Sequence, residues 1–264
     1  MKKYFEVAKI TFKAQMAYGF DVAVGASLAL FRILLAFILW SVLFKGKDEI
    51  AGFSFGMMIT YYILISFFRR LDLTESIVWQ MQEEIREGQF TKYLVRPVKP
   101  LWFFVSASFA KTAFVLGINL LATLLYAALF HRYFTFHANF GACFSAFMIF
   151  LFGLNFLILL NYFVGVLSFK FIEVTAFNIL KGVILEFLTG ALIPLAILPV
   201  WFQDGMKIFP FYYIYYYPTM LVLNREINKI PQAFLLLIVW NVLMFLIVTA
   251  TYSKLRRKYE GVGV

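Results

Sequence analysis

Long apolar stretches separated by short charged ones recur along the whole sequence. Six of them, over 22–44, 50–70, 101–130, 140–169, 174–197 and 233–252, lie near or beyond the roughly 20 residues that carry a helix across about 30 Å of hydrocarbon. Ahead of the first, Lys2, Glu6, Lys9 and Lys13 fall on one helical face and Phe5, Ala8, Phe12 and Met16 on another, predicting an interfacial helix within 1–20. Arg69 and Arg70 close the second stretch and mark a return to the starting side. Beyond them 71–100 is mixed. Leu71, Val78, Met81 and Ile85 repeat at helical spacing, so the helix is expected to continue out of the membrane until Gly88, with Pro97 and Pro100 ending the segment.

Residues 198–220 are too proline-broken for a simple crossing and too apolar for a free loop. Between 199 and 218 stand nine aromatics: Trp201, Phe202, Phe209, Phe211, Tyr212, Tyr213, Tyr215, Tyr216 and Tyr217. Such rings favour the headgroup level, which predicts one or two short helices dipping into the outer leaflet. The expected fold is an all-α membrane protein with six transmembrane helices, an N-terminal amphipathic interfacial helix, a cytoplasmic helix after span 2 and short outer re-entrant helices between spans 5 and 6.

Composition sharpens this reading. Of the 264 residues 63% are hydrophobic and 14% charged, a balance that excludes a cytosolic enzyme, a secreted disulfide scaffold and a nucleic-acid-binding domain. The single cysteine, Cys143, allows no intrachain disulfide. The N-terminus lacks the uninterrupted apolar core of a cleavable signal peptide, so the first residues are expected to remain. The net charge of +10 is distributed unevenly. Of the 24 Lys and Arg, 15 fall on the side of the N-terminus, six on the other and three, Arg32, Lys111 and Lys181, in or near spans. Both termini are therefore expected in the cytoplasm.

An intramembrane enzyme would show a nucleophile with a base, or clustered metal ligands, at membrane depth, and neither is visible. His131 and His137 sit in an outer turn without companion ligands, and no phosphate loop is present. Charges inside spans are more informative, because each costs a few kcal/mol or more (about 2.5–3.5 on insertion scales) unless it faces protein or water. Arg32 and Glu186 lie near the middle of spans 1 and 5, and Lys181 is close enough to the cytoplasmic end to snorkel. Arg32 and Glu186 read as a buried structural ion pair or polar anchor between helices, ahead of the lining of a path for a polar or charged substrate. Asn119, Asn155 and Asn161 read as interhelical hydrogen-bonding groups.

Two segments resemble the type-2 ABC transporter permeases. EEIREGQFTKYLVRPVKPL is similar to their E-G-x-[LF]-x-x-Y-L-x-R-P segment through Glu87, Gly88, Phe90, Tyr93, Leu94, Arg96 and Pro97. Gly190, Pro194, Leu195, Pro199 and Pro210 match the element that leads those permeases into outer re-entrant helices. The resemblance implies a permease in the inner membrane of a bacterium. It would pair with a second copy or sister permease and be driven by separate ATP-binding cassette subunits, with ATP and Mg on those partners and no cofactor in this chain. Glu83, Glu84 and Arg86 join the motif residues as the expected coupling surface, and Gly190 and Pro194 join Arg32 and Glu186 as expected pathway residues. Substrates of such exporters are hydrophobic or amphipathic drugs, peptides, lipids or glycolipids. An ion-coupled secondary transporter, or an assembly protein without transport, are the competing classes.

Overall fold

The computed structural model of the chain describes residues 2–95, 97–136, 138–171 and 173–259. Eleven α-helices make up the described fold: α1 (Lys2–Met16), α2 (Gly19–Leu43), α3 (Phe55–Arg70), α4 (Ser76–Arg86), α5 (Thr91–Val95), α6 (Pro100–Leu129), α7 (Phe140–Val166), α8 (Thr175–Leu188), α9 (Val200–Met206), α10 (Tyr216–Val222) and α11 (Ile230–Leu255). The protein is an all-α membrane protein. By length and composition, Gly19–Leu43, Pro100–Leu129, Phe140–Phe169 and Ile227–Leu255 can each cross a membrane.

Local chemistry sets the helix ends. Proline at the first position opens α6, and the Asn139 side chain accepts the Ala142 N–H at 2.7 Å to open α7. The second apolar stretch departs from expectation at its start. Residues 49–54 form a hairpin, β1 (Glu49–Ile50) pairing antiparallel with β2 (Phe53–Ser54), turned by Ala51 and Gly52 at positive φ. Helix α3 therefore begins only at Phe55, where Ser54 caps it, and its 16 residues span about 24 Å.

The helix does not run on into 71–88 as the apolar spacing suggested. Asp72 Oδ1 accepts both the Thr74 N–H (2.9 Å) and the Thr74 hydroxyl (2.6 Å), an Asx turn that breaks the chain between α3 and α4. The fifth stretch is also shorter than expected. α8 has 14 residues, and Gly190 at φ +74 follows it, ahead of Pro194 and a 3₁₀ turn at Leu195–Ile197.

α7 is the centre of the core, with α11, α4 and α10 packed on it. Asn155 Nδ2 donates to Asn241 Oδ1 at 2.7 Å, joining α7 to α11 where hydrophobic contact alone gives little drive. α1 lies along α6, with Phe12 edge-on to Phe114 and Phe5 and Met16 left exposed.

The aromatic-rich segment forms α9, a 3₁₀ turn at Pro210–Tyr213 and α10, and its tyrosines pack inside the protein. Tyr212, Tyr213, Tyr215, Tyr216 and Tyr217 are all buried, while Trp201 stays 75% exposed. Four of these five hydroxyls, which would otherwise oppose burial, have an acceptor: Tyr212 donates to Glu226 (2.9 Å), Tyr213 to Lys207 O (2.7 Å), Tyr217 to Glu226 O (3.0 Å) and Tyr215 to Asp72 (2.6 Å).

Gly190 gives a test of this architecture. Its positive φ is strained for any side chain, and an added Cβ would lie 2.8 Å from the Tyr61 hydroxyl, which donates to Gly190 O at 2.7 Å. Gly190→Ala is expected to cost about 1–3 kcal/mol and Tyr61→Phe about 1 kcal/mol in detergent thermal unfolding. Wild-type melting of Gly190→Ala would contradict the packed end of α8.

Candidate functional site

Arg32 on α2 and Glu186 on α8 do meet, at 3.8 Å. The closer partner of Glu186 is Arg69, the penultimate residue of α3, whose guanidinium hydrogen-bonds the same carboxylate oxygen. One carboxylate thus serves two guanidiniums. No sequence signal singles out Arg69 for this role, since it reads as an interface charge at a span end; only the way α3 ends against α8 brings it to Glu186. The neighbouring Arg70 turns the other way, donating to Val22 O at 2.8 Å and Asn119 Oδ1 at 3.2 Å, while Asn119 donates to Phe67 O at 2.8 Å. This network ties α2, α3 and α6 together.

Lys181 is half-buried. Its ammonium donates to Asn161 and to Asn178 (2.7 Å), drawn inward by oxygens on α7 and on its own helix. Asn161 Nδ2 continues to the Thr74 hydroxyl at 2.7 Å and Asn178 Nδ2 to Glu75 at 3.0 Å, and Lys111 donates to the Ser76 hydroxyl at 3.0 Å. These groups surround a cavity of about 830 Å³ lined by the ends of α2 and α3, the 72–76 connector, and parts of α6 and α8. Tyr215, between the 3₁₀ turn at Pro210–Tyr213 and α10, closes one wall through its bond to Asp72.

A second recess of about 540 Å³ shares Gly25, Arg69, Arg70 and Glu186 with the first and continues between α2, α3 and α8 past Leu28, Leu35, Leu39 and Leu192. Charged at one end and aliphatic at the other, the pair suits an amphipathic molecule. Gly190 and Pro194 are buried and line neither recess.

On the opposite side of the connector, α4 has two faces. Ile77, Val78 and Met81 are buried against α7, and Gln82 accepts the Val174 N–H at 3.1 Å, just ahead of α8. Trp79, Glu83, Arg86 and Glu87 form the exposed stripe at helical spacing. Glu84 is corrected from that surface. It is only 5% exposed and its Oε1 accepts from Gln80 (2.8 Å), Lys92 (2.6 Å) and Tyr93 (3.5 Å), pinning α5 back onto α4.

Burial, reinforced by the Glu84 charge, pushes the Tyr93 hydroxyl well above its usual range, so it stays a donor. Gly88 adopts a positive φ just past the end of α4, and Phe90 is fully buried. Leu94 is 48% exposed, because the short α5 directs Tyr93 inward and its neighbour outward. Pro97 is exposed, and Arg96 lies outside the described residues, as does His137.

The model of ABC-2 family transporter proteins matches residues 30–263. No curated protein and no solved structure matches the chain.

The shared carboxylate makes a measurable statement. Glu186→Gln leaves two guanidiniums unneutralised and is expected to cost more in detergent melting than Arg32→Gln, whose partner is farther and whose side chain is more exposed. Combined with Arg69→Gln, the Glu186→Gln loss should shrink by about 0.5–3 kcal/mol. Strict additivity would show that Arg69 and Glu186 do not interact.

Proposed function

The chain belongs to the ABC-2 family of transporter proteins, and from that premise we propose that it is the membrane-spanning subunit of an ATP-driven exporter. It pairs with a second copy or a sister permease, and separate ATP-binding cassette subunits carry ATP and Mg. The observation that carries this reading is the asymmetry of α4: one face is free and mixed in character, and the other is fastened to the helices around the charged cavity.

In this mechanism the ATP-binding subunit grips Trp79, Glu83, Arg86 and Glu87 together with exposed Leu94. Closure of that subunit on ATP shifts α4 as a unit, because Phe90, Tyr93 and Glu84 hold α5 to it. The shift reaches α8 through Gln82 to Val174 and Glu75 to Asn178, and reaches the re-entrant tip through the connector and Asp72. Separation of Tyr215 from Asp72 would open the cavity wall toward the outside. The substrate class is a hydrophobic or amphipathic molecule, its polar end among Arg70, Lys111 and Lys181 and its apolar part along the α2 and α8 groove.

The same reading gives α3 and α8 as short crossings, for six in total, with both termini in the cytoplasm of a bacterial inner membrane. The uneven distribution of Lys and Arg supports that orientation. In a Cys143→Ser background, single cysteines at Lys47 and Asp204 should react with an impermeant thiol reagent from outside, and one at Lys92 only after permeabilisation. Labelling at Lys92 in intact cells would reverse the topology.

Coupling is tested with the cognate ATP-binding subunit in liposomes. Glu83→Ala combined with Glu87→Ala, and separately Leu94→Ala, should leave insertion intact. Each should weaken partner capture by about fivefold or more, or uncouple ATPase from flux. Wild-type capture and flux in all of them would remove this face as the coupling surface. Flux that follows an ion gradient without ATP would instead favour secondary transport.

A further inference from the structure

The apolar helix α6 begins at Pro100 and α11 ends at Leu255, and these two ends, together with α1, enclose a cavity of about 790 Å³. It is remote in composition from the recess beside Glu186. Lys3, Lys99 and Arg256 line it, and no carboxylate does among the described residues. Their polar contacts are to neutral groups: Lys3 donates to Pro97 O, and the Arg256 guanidinium sits 5.5 Å over the Tyr252 ring. Tyr162 forms part of the wall, and its hydroxyl is buried without a hydrogen-bond partner among the described residues. A buried donor of this kind calls for an acceptor.

The cavity does not end blindly. A groove of about 220 Å³ between α6, α7 and α11 shares Leu101, Trp102 and Phe245 with it. The only polar residues along that groove, Asn155 and Asn241, bond each other. A basic chamber where two membrane helices leave the hydrocarbon, opening into an apolar groove that runs back toward the bilayer, has the form of a phospholipid with its headgroup and one chain accommodated.

We propose that the cavity between α1, the Pro97–Pro100 turn and the end of α11 binds an anionic phospholipid of the adjacent leaflet, its phosphate held by Lys99 and Arg256 and a chain in the groove beside Trp102. The Tyr162 hydroxyl supplies a further donor from the cavity wall. Tyr93 and Leu94 also line the cavity, and Tyr4 accepts the Lys99 N–H at 3.2 Å. A bound lipid would therefore fasten α1 to the end of the α4–α5 segment, so that the composition of the leaflet sets how firmly that segment is anchored. This inference is independent of the transported substrate, and failure of export assays would leave it standing.

Native mass spectrometry of the purified protein in detergent provides the test, with phosphatidylglycerol, chain-matched phosphatidylcholine and inorganic phosphate as separate probes. Phosphatidylglycerol should be retained in preference to phosphatidylcholine and should raise the melting temperature. Lys99→Gln and Arg256→Gln should each weaken its retention by about fivefold, the loss expected for one cation near an anionic lipid. Ser253→Glu, at an exposed position on the rim, should do the same without disturbing packing. Lys45→Gln, outside the cavity, should change nothing.

Equal retention of the two lipids would overturn the proposal. So would phosphatidylglycerol binding unaffected by all three cavity variants, or displacement of the lipid by millimolar inorganic phosphate, which would indicate a small-anion site.

Discussion

Asp72 receives hydrogen bonds from the Thr74 N–H, the Thr74 hydroxyl and the Tyr215 hydroxyl, and it does so where the chain has just left α3. A carboxylate beside membrane-spanning helices must be satisfied within the protein, because hydrocarbon offers no donors. Meeting that requirement decides several features together. The Asx turn ends α3 and frees α4 to take its own direction, and the third donor draws the 198–220 segment in until Tyr215 reaches the connector between α3 and α4. Thr74, in turn, accepts from Asn161 on α7, so the central helix is tied to the same knot.

The cations around this knot follow a different rule. Arg69 and Arg32 share a carboxylate, whereas Arg70, Lys111 and Lys181 are bonded to carbonyl, amide and hydroxyl oxygens. Neutral acceptors hold a cation in place without cancelling its charge, which leaves it able to attract an incoming anion. Asp72 and Glu75 are likewise held by neutral donors, so the cavity presents both signs in fixed positions. A ligand with a polar or charged end could exchange with these contacts without breaking a closed ion pair, whereas Glu186 would have to release a guanidinium. On that reasoning Glu186 with its two arginines is the more structural part of the site, and the cations bonded to neutral oxygens are the more exchangeable part.

Apolar length made α2, α6, α7 and α11 legible in the sequence, since nothing but a membrane crossing accounts for such runs. Arg32 and Glu186 were also legible, because a charge at membrane depth needs an explanation. The hairpin at 49–54 was not, because two-residue strands leave no periodic signal, and the positive φ at Ala51 has no sequence signature. The break at 71–75 was hidden because Leu71, Val78, Met81 and Ile85 keep helical spacing across a turn that Asp72 creates locally. Aromatic content did not reveal that the tyrosines of 212–217 pack inside the protein: amphipathic rings suit a headgroup layer, but they suit a core equally once their hydroxyls find acceptors such as Glu226 and Asp72. The burial of Glu84 and the exposure of Leu94 have a related cause. A carboxylate that accepts from Lys92 and Tyr93 can be buried, and a leucine beside an inward tyrosine on a five-residue helix has nowhere to turn but out.

These inversions bear on how motion can pass through the molecule. If Glu84 were on the surface, α5 would hang from α4 by Gly88 alone and a push on one would be lost in the turn between them. With Glu84 inside, joined to Lys92 and Tyr93, and Phe90 packed against Tyr93, Phe169 and Tyr252, the two short helices form one body resting on the ends of α7 and α11. Its outer face carries charges and a tryptophan that no other described element covers, while its inner face holds Val174 through Gln82 and Asn178 through Glu75. A displacement of that body cannot leave the start of α8 where it is unless those bonds break. Because α8 carries both Lys181 and Glu186, the position of α4 and the arrangement of charge in the cavity are mechanically one variable.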